Sequence, residues 1–415
     1  MVQLICGING VVVVVDNNLL LNRSQSTTAS PVNNSDGEPE HQNLPVLFTP
    51  ITIRNVTLKN RICVSPMSMY SAADGFISDF HFTHLLSFAL GGAGLVMTEA
   101  TAVTPDGRIS PRDLGIWKDQ HIKPWTQLAK TIKLFGAVPG IQLGHAGRKG
   151  STEVLWAGGE SLTDEKGGWP VIGASPLAYG LHIWKIPKEA TIEDLENLMK
   201  AFVLAAKRAV KAGFEVIELH FGNGYLIHQF LSPVTNKRTD SFGGTLDNRM
   251  RLAIKTARMV RDAIPLNVVL GVRVSVSDLV ANGWDIPQTI ELAKELRRVG
   301  VDFLTCSSGQ LVPTSQTNGM DKYVFQVPSA GLINKLTGLT TAAVGKIIDP
   351  KYAEKIVSKK TASLVMIGRA FLDNPHWPYR AADILSVPTT AVDYPKQYGY
   401  AIGDNEWRDL LKKSF

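Results

Sequence analysis

The sequence predicts an α/β fold, a TIM-type (β/α)8 barrel in one domain, and three observations carry that reading. From Leu47 onward, eight apolar, β-branched runs alternate with segments of helical periodicity. The runs are continuously apolar rather than alternating, the pattern of strands buried on both faces of a parallel sheet. Polar side chains gather at their C-terminal ends, where a barrel collects its functional groups. A doubly wound open sheet also fits the alternation; the count of runs and the placing of the polar residues favour the barrel.

The strand candidates are, in order, Arg61–Met67, Gly94–Val103, Val138–Leu143, Glu215–Leu219, Val268–Val276, Phe303–Ser307, Thr340–Ile347 and Leu364–Ile367. Thr191 is placed as a helix N-cap, with Asp194 three residues on to complete a capping box. The stripe Leu195, Leu198, Phe202, Ala205 and Ala209 then follows at steps of three and four. Asp349-Pro350 and Asn374-Pro375 mark two later helix starts, because proline costs nothing at the first helical position. Between the third strand and its helix lies an insertion, about Ser151–Ala190, rich in Gly, Pro and Trp. Connections of that length are usually functional and often serve as lids.

Residues 1–45 read as an N-terminal extension, 46–390 as the barrel and 391–415 as a tail. The opening "MVQLICGINGVVVVV" is apolar but too short to span a membrane. No Lys or Arg precedes Arg23, whereas a secretory signal starts with basic residues. The polar stretch after it reads as disordered.

With 44% hydrophobic and 19% charged residues, the chain has an ordinary globular composition. The net charge of +6 is spread along the chain, which argues against a nucleic-acid partner. It suits mild attraction of anionic small molecules such as phosphorylated cofactors. Cys6, Cys63 and Cys306 are odd in number and form no C-x-x-C, so neither a zinc site nor a disulfide framework is indicated. Cys63 and Cys306 lie in apolar runs, where a thiol behaves as a small hydrophobe. A reducing, cytoplasmic setting without a membrane partner is the expectation.

The seventh strand runs into "AVGKI" and the eighth into "MIGRAF". Barrels often hold a phosphate with these two loops, through glycine N–H groups and a helix N-terminus. Gly345, Gly368 and Arg369 fit that role, arginine because it can clamp phosphate bidentately. Gly309, in "CSSGQ" after strand six, is a further donor candidate. The plain alternative is that these glycines only relieve crowding. A P-loop is excluded, since Ile347 follows Gly345-Lys346, and no G-x-G-x-x-G occurs.

Gln142 ends strand three with an amide that can donate and accept, which suits a flat heterocycle with an N–H beside a C=O. Arg273 lies within "GVRVSV", where a buried cation needs an anion. A carboxylate partner, Glu99 or Glu218, is the structural alternative. Ser68 and Tyr70 follow strand one in "SPMSMY". Strand four ends in "HFGNGYLIHQF", which sets His220, Asn223 and Tyr225 within six residues. A capped strand end is the bland alternative there.

Taken together, the chain resembles the Old Yellow Enzyme family of FMN-dependent ene-reductases, most closely its thermophilic-like branch. The resemblance rests on "LFTPITIRNVTLKNRICVSPMSMY", "TEATAVTPDGRIS", "LGIWKDQHI", "IQLGHAGRK", "HFGNGYLIHQFLSPVTNKRTDSFGGTLDNR", "VRVSVSD", "CSSG" and "IGRAFLDNP". These pieces run in order over roughly Leu47 to Leu385.

The resemblance implies FMN as cofactor, NADPH or NADH as reductant and a small-molecule enone as substrate. Pro66, Met67, Ser68 and Ala100 would line the isoalloxazine, Gln142 would read its pyrimidine edge, and Arg273 would face N1–C2=O2. Gly309, Gly345, Gly368 and Arg369 would hold the phosphate. His220 and Asn223, with Tyr70 beside them, would bind the substrate, and Tyr225 would supply a proton. The chemistry matches the residues: hydride arriving at the β-carbon pushes charge onto a carbonyl oxygen, which two donors stabilise. A phenol is protonated at neutral pH and can protonate the α-carbon.

Three departures stand out. Ser68 replaces the branch's usual Cys, and Asn223 its second His. The tail reads Gln397-Tyr398-Gly399-Tyr400, without the arginine of the "QYxR" motif that members place in a neighbouring subunit. That leaves a homo-oligomer open, with Arg408 as the one substitute in view. The rival functions are a non-redox barrel lyase for a phosphorylated substrate, a flavin-dependent isomerase and a flavin binder without turnover. No metal is expected: His81 and His84 form H-x-x-H on a helix, and read as packing or flavin-facing.

Overall fold

In the computed structural model, Ile62–Val64 (β1), Leu95–Ala102 (β2), Val138–Gly144 (β3), Val216–Phe221 (β4), Val269–Ser275 (β5), Phe303–Ser307 (β6), Thr340–Val344 (β7) and Leu364–Ile367 (β8) close a parallel barrel. The structure describes residues 44–180, 184–313, 322–403 and 407. Cys6, Arg408 and the expectation of disorder over 1–43 lie outside them. Each strand pairs with its sequence neighbours, and β8 returns to β1 through Ile367 and Val64. The barrel expected from the sequence is the observed fold.

The barrel interior is filled from every strand. Cys63, Leu95, Met97, Val138, Val216, Val269, Phe303, Ala342, Leu364 and Met366 form one apolar cluster. Ile53, Val56 and Leu58 join it from an antiparallel hairpin, Ile51–Ile53 with Val56–Leu58, so the hairpin plugs the N-terminal end. Gly271 is opposite Phe303, and a Cβ there would lie 2.2 Å from the phenyl ring. Only glycine leaves room for that ring.

A larger apolar layer lies between the strands and the surrounding helices. These are Asp79–Leu90 (α1), Ile122–Leu134 (α2), Ile192–Ala212 (α3), Leu246–Ala263 (α4), Ile286–Arg298 (α5), Lys322–Thr337 (α6), Pro350–Ser358 (α7) and Trp377–Ile384 (α8). α3 starts as its sequence requires: Thr191 Oγ1 accepts from Asp194 N at 3.1 Å, and Asp194 Oδ2 accepts from Thr191 N at 2.8 Å. Its stripe of Leu195, Leu198, Phe202, Ala205 and Ala209 is buried. Asp349 caps α7 through the Lys351 N–H, as expected.

Most strand boundaries shift by one or two residues, and three differences have a clear physical reason. β1 ends at Val64 rather than Met67, because its partner β8 ends at Ile367 and the chain beyond leaves the sheet. β7 ends at Val344, where Gly345 and Lys346 adopt positive φ and turn the chain. α8 begins at Trp377, not at Asn374-Pro375. Asn374 instead ends a short helix, Arg369–Asp373, and its Oδ1 accepts from His376 N. The connection from β3 to α3 runs over 145–191, with short 3-10 turns and a two-residue strand pair, Ile172–Gly173 with Lys188–Glu189.

Candidate active site

The C-terminal ends of the strands open into two adjoining cavities, of about 330 and 180 Å³. Pro66, Asn223, Arg273 and Gln310 line both, so the two spaces are continuous. The larger runs over the ends of β7 and β8 and is lined by Met67, Gly345, Lys346, Gly368 and Arg369. The smaller is lined by Ser68, Ala100, Gln142, His220 and Tyr225. Residues from eight segments, separated by up to some three hundred positions, therefore share one space.

Two of the sequence-predicted residues stand apart. Gly309 is not on the cavity wall: its N–H donates to Ser277 O at 2.7 Å, so it has no donor left for a phosphate. With φ +66°, its task is to turn the chain after β6, and its neighbours Ser308 and Gln310 take the wall positions. Tyr70 is buried beside the site rather than lining either cavity. Its ring meets the exposed Trp156, from the β3–α3 connection, edge-on at 5.7 Å.

Arg273 resolves the carboxylate question. Its Nη1 donates to Ser65 Oγ at 3.1 Å, and among the described residues no carboxylate lies within ion-pair distance. Glu99 is committed to the Met69 N–H at 2.8 Å and lies 3.1 Å from His81 Nε2. Glu218 is bound by Gln142 Nε2 at 2.7 Å and by the Thr305 hydroxyl. Burial lowers the arginine's pKa and Glu218 opposes that shift. A guanidinium at a cavity wall without a paired carboxylate is a receptor for an anion or a polar heterocycle.

The loop after β4 is held on all sides. Asn223 and Gly224 both have positive φ, and a Cβ at Gly224 would fall 2.2 Å from Gln310 O. Asn223 N donates to Ser275 Oγ at 2.9 Å, and Gly224 N to His228 Nδ1 at 2.8 Å. Lys149 Nζ donates to Asn223 O at 2.9 Å and lies 5.0 Å from the Tyr225 ring centroid. The Asn223 side chain is partly used, since its Nδ2 donates to Ser307 Oγ at 3.1 Å. One of its two N–H bonds remains for a ligand.

His220 is 5% exposed and meets Tyr225 edge-on at 4.9 Å. Burial drives its pKa well below the usual imidazole value, with the charges of Arg273 and Lys149 adding to the effect. Its Nδ1 takes the Gly222 N–H at 3.4 Å, which assigns the remaining proton to Nε2. The ring is thus a neutral donor. Burial, first, and then the neighbouring Tyr70 and Asp113 push the Tyr225 pKa upward, which keeps its phenol protonated.

The H-x-x-H pair on α1 is packed rather than ligating. His81 Nδ1 accepts from Ser78 N, and His84 stacks on Phe80. Gln310, Lys346, Ser307, Ser308 and Gln326 line the site but were not singled out in the sequence. Ordinary composition hides them: Ser307, Ser308, Gln310 and Lys346 are marked only by their place at or just after a strand end, and Gln326, inside α6, carries no such signal.

Residues 46–386 match the family model described as NADH:flavin oxidoreductase / NADH oxidase. The chain belongs to that family. Among curated relatives, it is 42% identical over 361 residues to an NADPH dehydrogenase of Halalkalibacterium halodurans, covering 86% of this chain and 98% of the relative. It is 42% identical over 358 residues to the NADPH dehydrogenase of Bacillus subtilis, covering 85% and 98%. Among solved structures, a 2-naphthoyl-CoA reductase superposes with TM-score 0.72 at 25% identity, covering 84% of this chain and 53% of that one. Morphinone reductase superposes with TM-score 0.67 at 24% identity, covering 81% and 89%, and supports the fold.

The Old Yellow Enzyme resemblance therefore holds, and the chain is an FMN-dependent oxidoreductase with NADPH or NADH as reductant. Family membership sets aside the non-redox lyase. The site fits the cofactor on its own terms. An elongated cavity joins an arginine without a paired carboxylate to two glycine-bearing turns and a second arginine. No helix of the described residues is long and apolar enough to cross a membrane.

Proposed function

We propose that this oxidoreductase reduces the C=C bond of α,β-unsaturated carbonyl compounds. The observation that carries the reading is the convergence of His220, Asn223 and Tyr225 on one cavity that Gln142 and Arg273, from the neighbouring strands, also line. FMN held in the two cavities would supply the hydride, with NAD(P)H as its reductant. Pro66, Met67, Ser68 and Ala100 would border the ring, Gln142 and Arg273 would meet its polar edge, and Gly345, Gly368 and Arg369 would hold the phosphate.

The neutral His220 donates from Nε2 to the substrate carbonyl oxygen, and Asn223 adds its free N–H. Both are held before substrate arrives, so charge growing on that oxygen is met without reorganisation; one such donor contributes about 3 kcal/mol. Tyr225 holds the proton that the α-carbon needs. Its raised pKa prevents early ionisation, and Lys149 above the ring offsets the phenolate charge once the proton has left. Tyr70 meets Trp156 of the β3–α3 connection beside the site, which gives that connection a part in admitting substrate.

Tyr225→Phe tests this directly. Reduction of the enzyme by NADPH should stay near normal, while oxidation by cyclohexenone slows roughly 10²–10⁴-fold. Quinones and oxygen, which need no carbon-centred proton, should be far less affected. Equal losses in both half-reactions, or full activity with cyclohexenone, would remove Tyr225 from this role.

A further inference from the structure

Glu218 is fully buried on β4, two residues before His220, and lines neither cavity. Its Cα is in register with Gln142 on β3 and Gly271 on β5. Both carboxylate oxygens are used: Oε1 accepts from Gln142 Nε2 at 2.7 Å, and Oε2 from the Thr305 hydroxyl. These partners come from β3 and β6, so the carboxylate ties two walls of the barrel together beneath the site. Gln142 and Arg273 have work in binding the cofactor; the chemistry described so far has none for Glu218.

The contacts have two consequences. An ionised carboxylate can only accept, so it selects the nitrogen end of the Gln142 amide and leaves the amide oxygen to face a ligand. An isolated amide would be free to flip. The second consequence is electrostatic. Arg273, on the same cavity wall, has no carboxylate within ion-pair distance among the described residues, and Glu218 is the negative charge that acts on it most strongly. Neutral donors hold the carboxylate away from the guanidinium, so its charge is set against that of Arg273 without capping it.

We propose that Glu218 is the positioning and charge-balancing residue of the flavin site: it fixes the orientation of Gln142 and, by opposing Arg273, makes the bound flavin a stronger reductant. Reduction adds negative charge to the ring; Arg273 favours that charge and Glu218 disfavours it. A site with the arginine alone would hold the reduced form too tightly to be a strong hydride donor. The Glu218 pKa is raised overall, by burial first; Arg273, the Thr305 hydroxyl and the Gln142 amide oppose that shift, and the two hydrogen bonds accepted are those of an ionised carboxylate.

Two conservative variants of the holoenzyme separate the two parts. Glu218→Gln removes the charge but can still accept from Gln142 and meet the Thr305 hydroxyl. Its flavin midpoint potential should rise by at least the ~30 mV that corresponds to a tenfold change in a two-electron equilibrium. Its affinity for oxidised FMN should stay close to that of wild type. Glu218→Asp keeps the charge but falls one methylene short of Gln142. Its potential should stay near wild type, while FMN affinity drops about fivefold, the worth of one hydrogen bond. An unchanged potential in Glu218→Gln, or wild-type FMN affinity in Glu218→Asp, overturns the proposal. Wild-type protein that takes up no FMN would instead overturn the flavin assignment on which it rests.

Discussion

The Gly224 N–H donates to His228 Nδ1 at 2.8 Å, so a fully buried imidazole holds the glycine between Asn223 and Tyr225. Behind it, His228 Nε2 lies 2.9 Å from Asp278 Oδ1, while the other carboxylate oxygen takes Ser232 Oγ and Trp284 N at 2.6 Å each. The left-handed turn that presents both site residues is thus anchored from the core.

His228→Leu should leave the Gly224 N–H without an acceptor and cost about 1–3 kcal/mol of stability. Turnover of enones should fall further than reduction by NADPH, because the turn carries Asn223 and Tyr225. His228→Gln, which retains an acceptor, should recover part of both losses. Urea denaturation with stopped-flow kinetics checks this; equal effects of the two variants would show that the Gly224 contact is not what matters.

A phenol such as p-hydroxybenzaldehyde should bind as its phenolate on His220 and Asn223 and give a long-wavelength charge-transfer band with the flavin. His220→Ala should weaken the titration by roughly tenfold to a hundredfold, in line with losing a hydrogen bond to a charged group. The His220 pKa lies well below the usual value, so the wild-type band should show no imidazole step near pH 6.5. An inflection there would mean that the ring titrates in the complex.

Arg369→Ala should weaken FMN binding by about 1.5–3 kcal/mol, roughly 10- to 150-fold, through loss of a charged contact to phosphate. The apoprotein should unfold at the same denaturant concentration as wild type. Riboflavin, which lacks the phosphate, should bind both proteins equally; a matching loss for riboflavin would place the arginine elsewhere on the cofactor.

Asp113, 2% exposed, is pushed up to about 7, mainly by burial and in part by the charge of Glu99. A carboxyl whose folded pKa is raised stabilises fully below its unfolded value, near 3.8, and loses that contribution as pH rises through about 7. His84, pushed down to about 4 by burial, acts in the opposite direction over pH 4–6.5. The difference between wild type and Asp113→Asn isolates the carboxyl. Between pH 4 and 7 the variant should gain on wild type by up to about 1.4 kcal/mol per pH unit. Parallel stability curves would show that Asp113 titrates normally.

Much of this molecule is local in origin and was legible in the chain. Continuous apolar runs marked all eight strands because a strand buried on both faces has no polar side to show. The α3 capping box involves residues three apart, so Thr191 and Asp194 announced it. Gln142, Arg273, His220, Asn223 and Tyr225 were readable as polar groups at strand ends, and Gly345, Gly368 and Arg369 from their place in the loops after the last two strands. All of them reach the two cavities.

What only the tertiary structure decided is which hydrogen-bonding groups are already taken. Gly309 looked like a free donor until Ser277 claimed its N–H. Asn223 looked like a whole amide until Ser307, 84 residues away, took one N–H. Glu218 was one of two candidate carboxylates for Arg273, but Gln142, 76 residues before Glu218, and Thr305, 87 after it, satisfied that carboxylate first. A strand's burial follows from its own side chains. The partner of a donor depends on which distant segments the closed barrel brings within 3 Å, and the barrel sets that competition only when it closes.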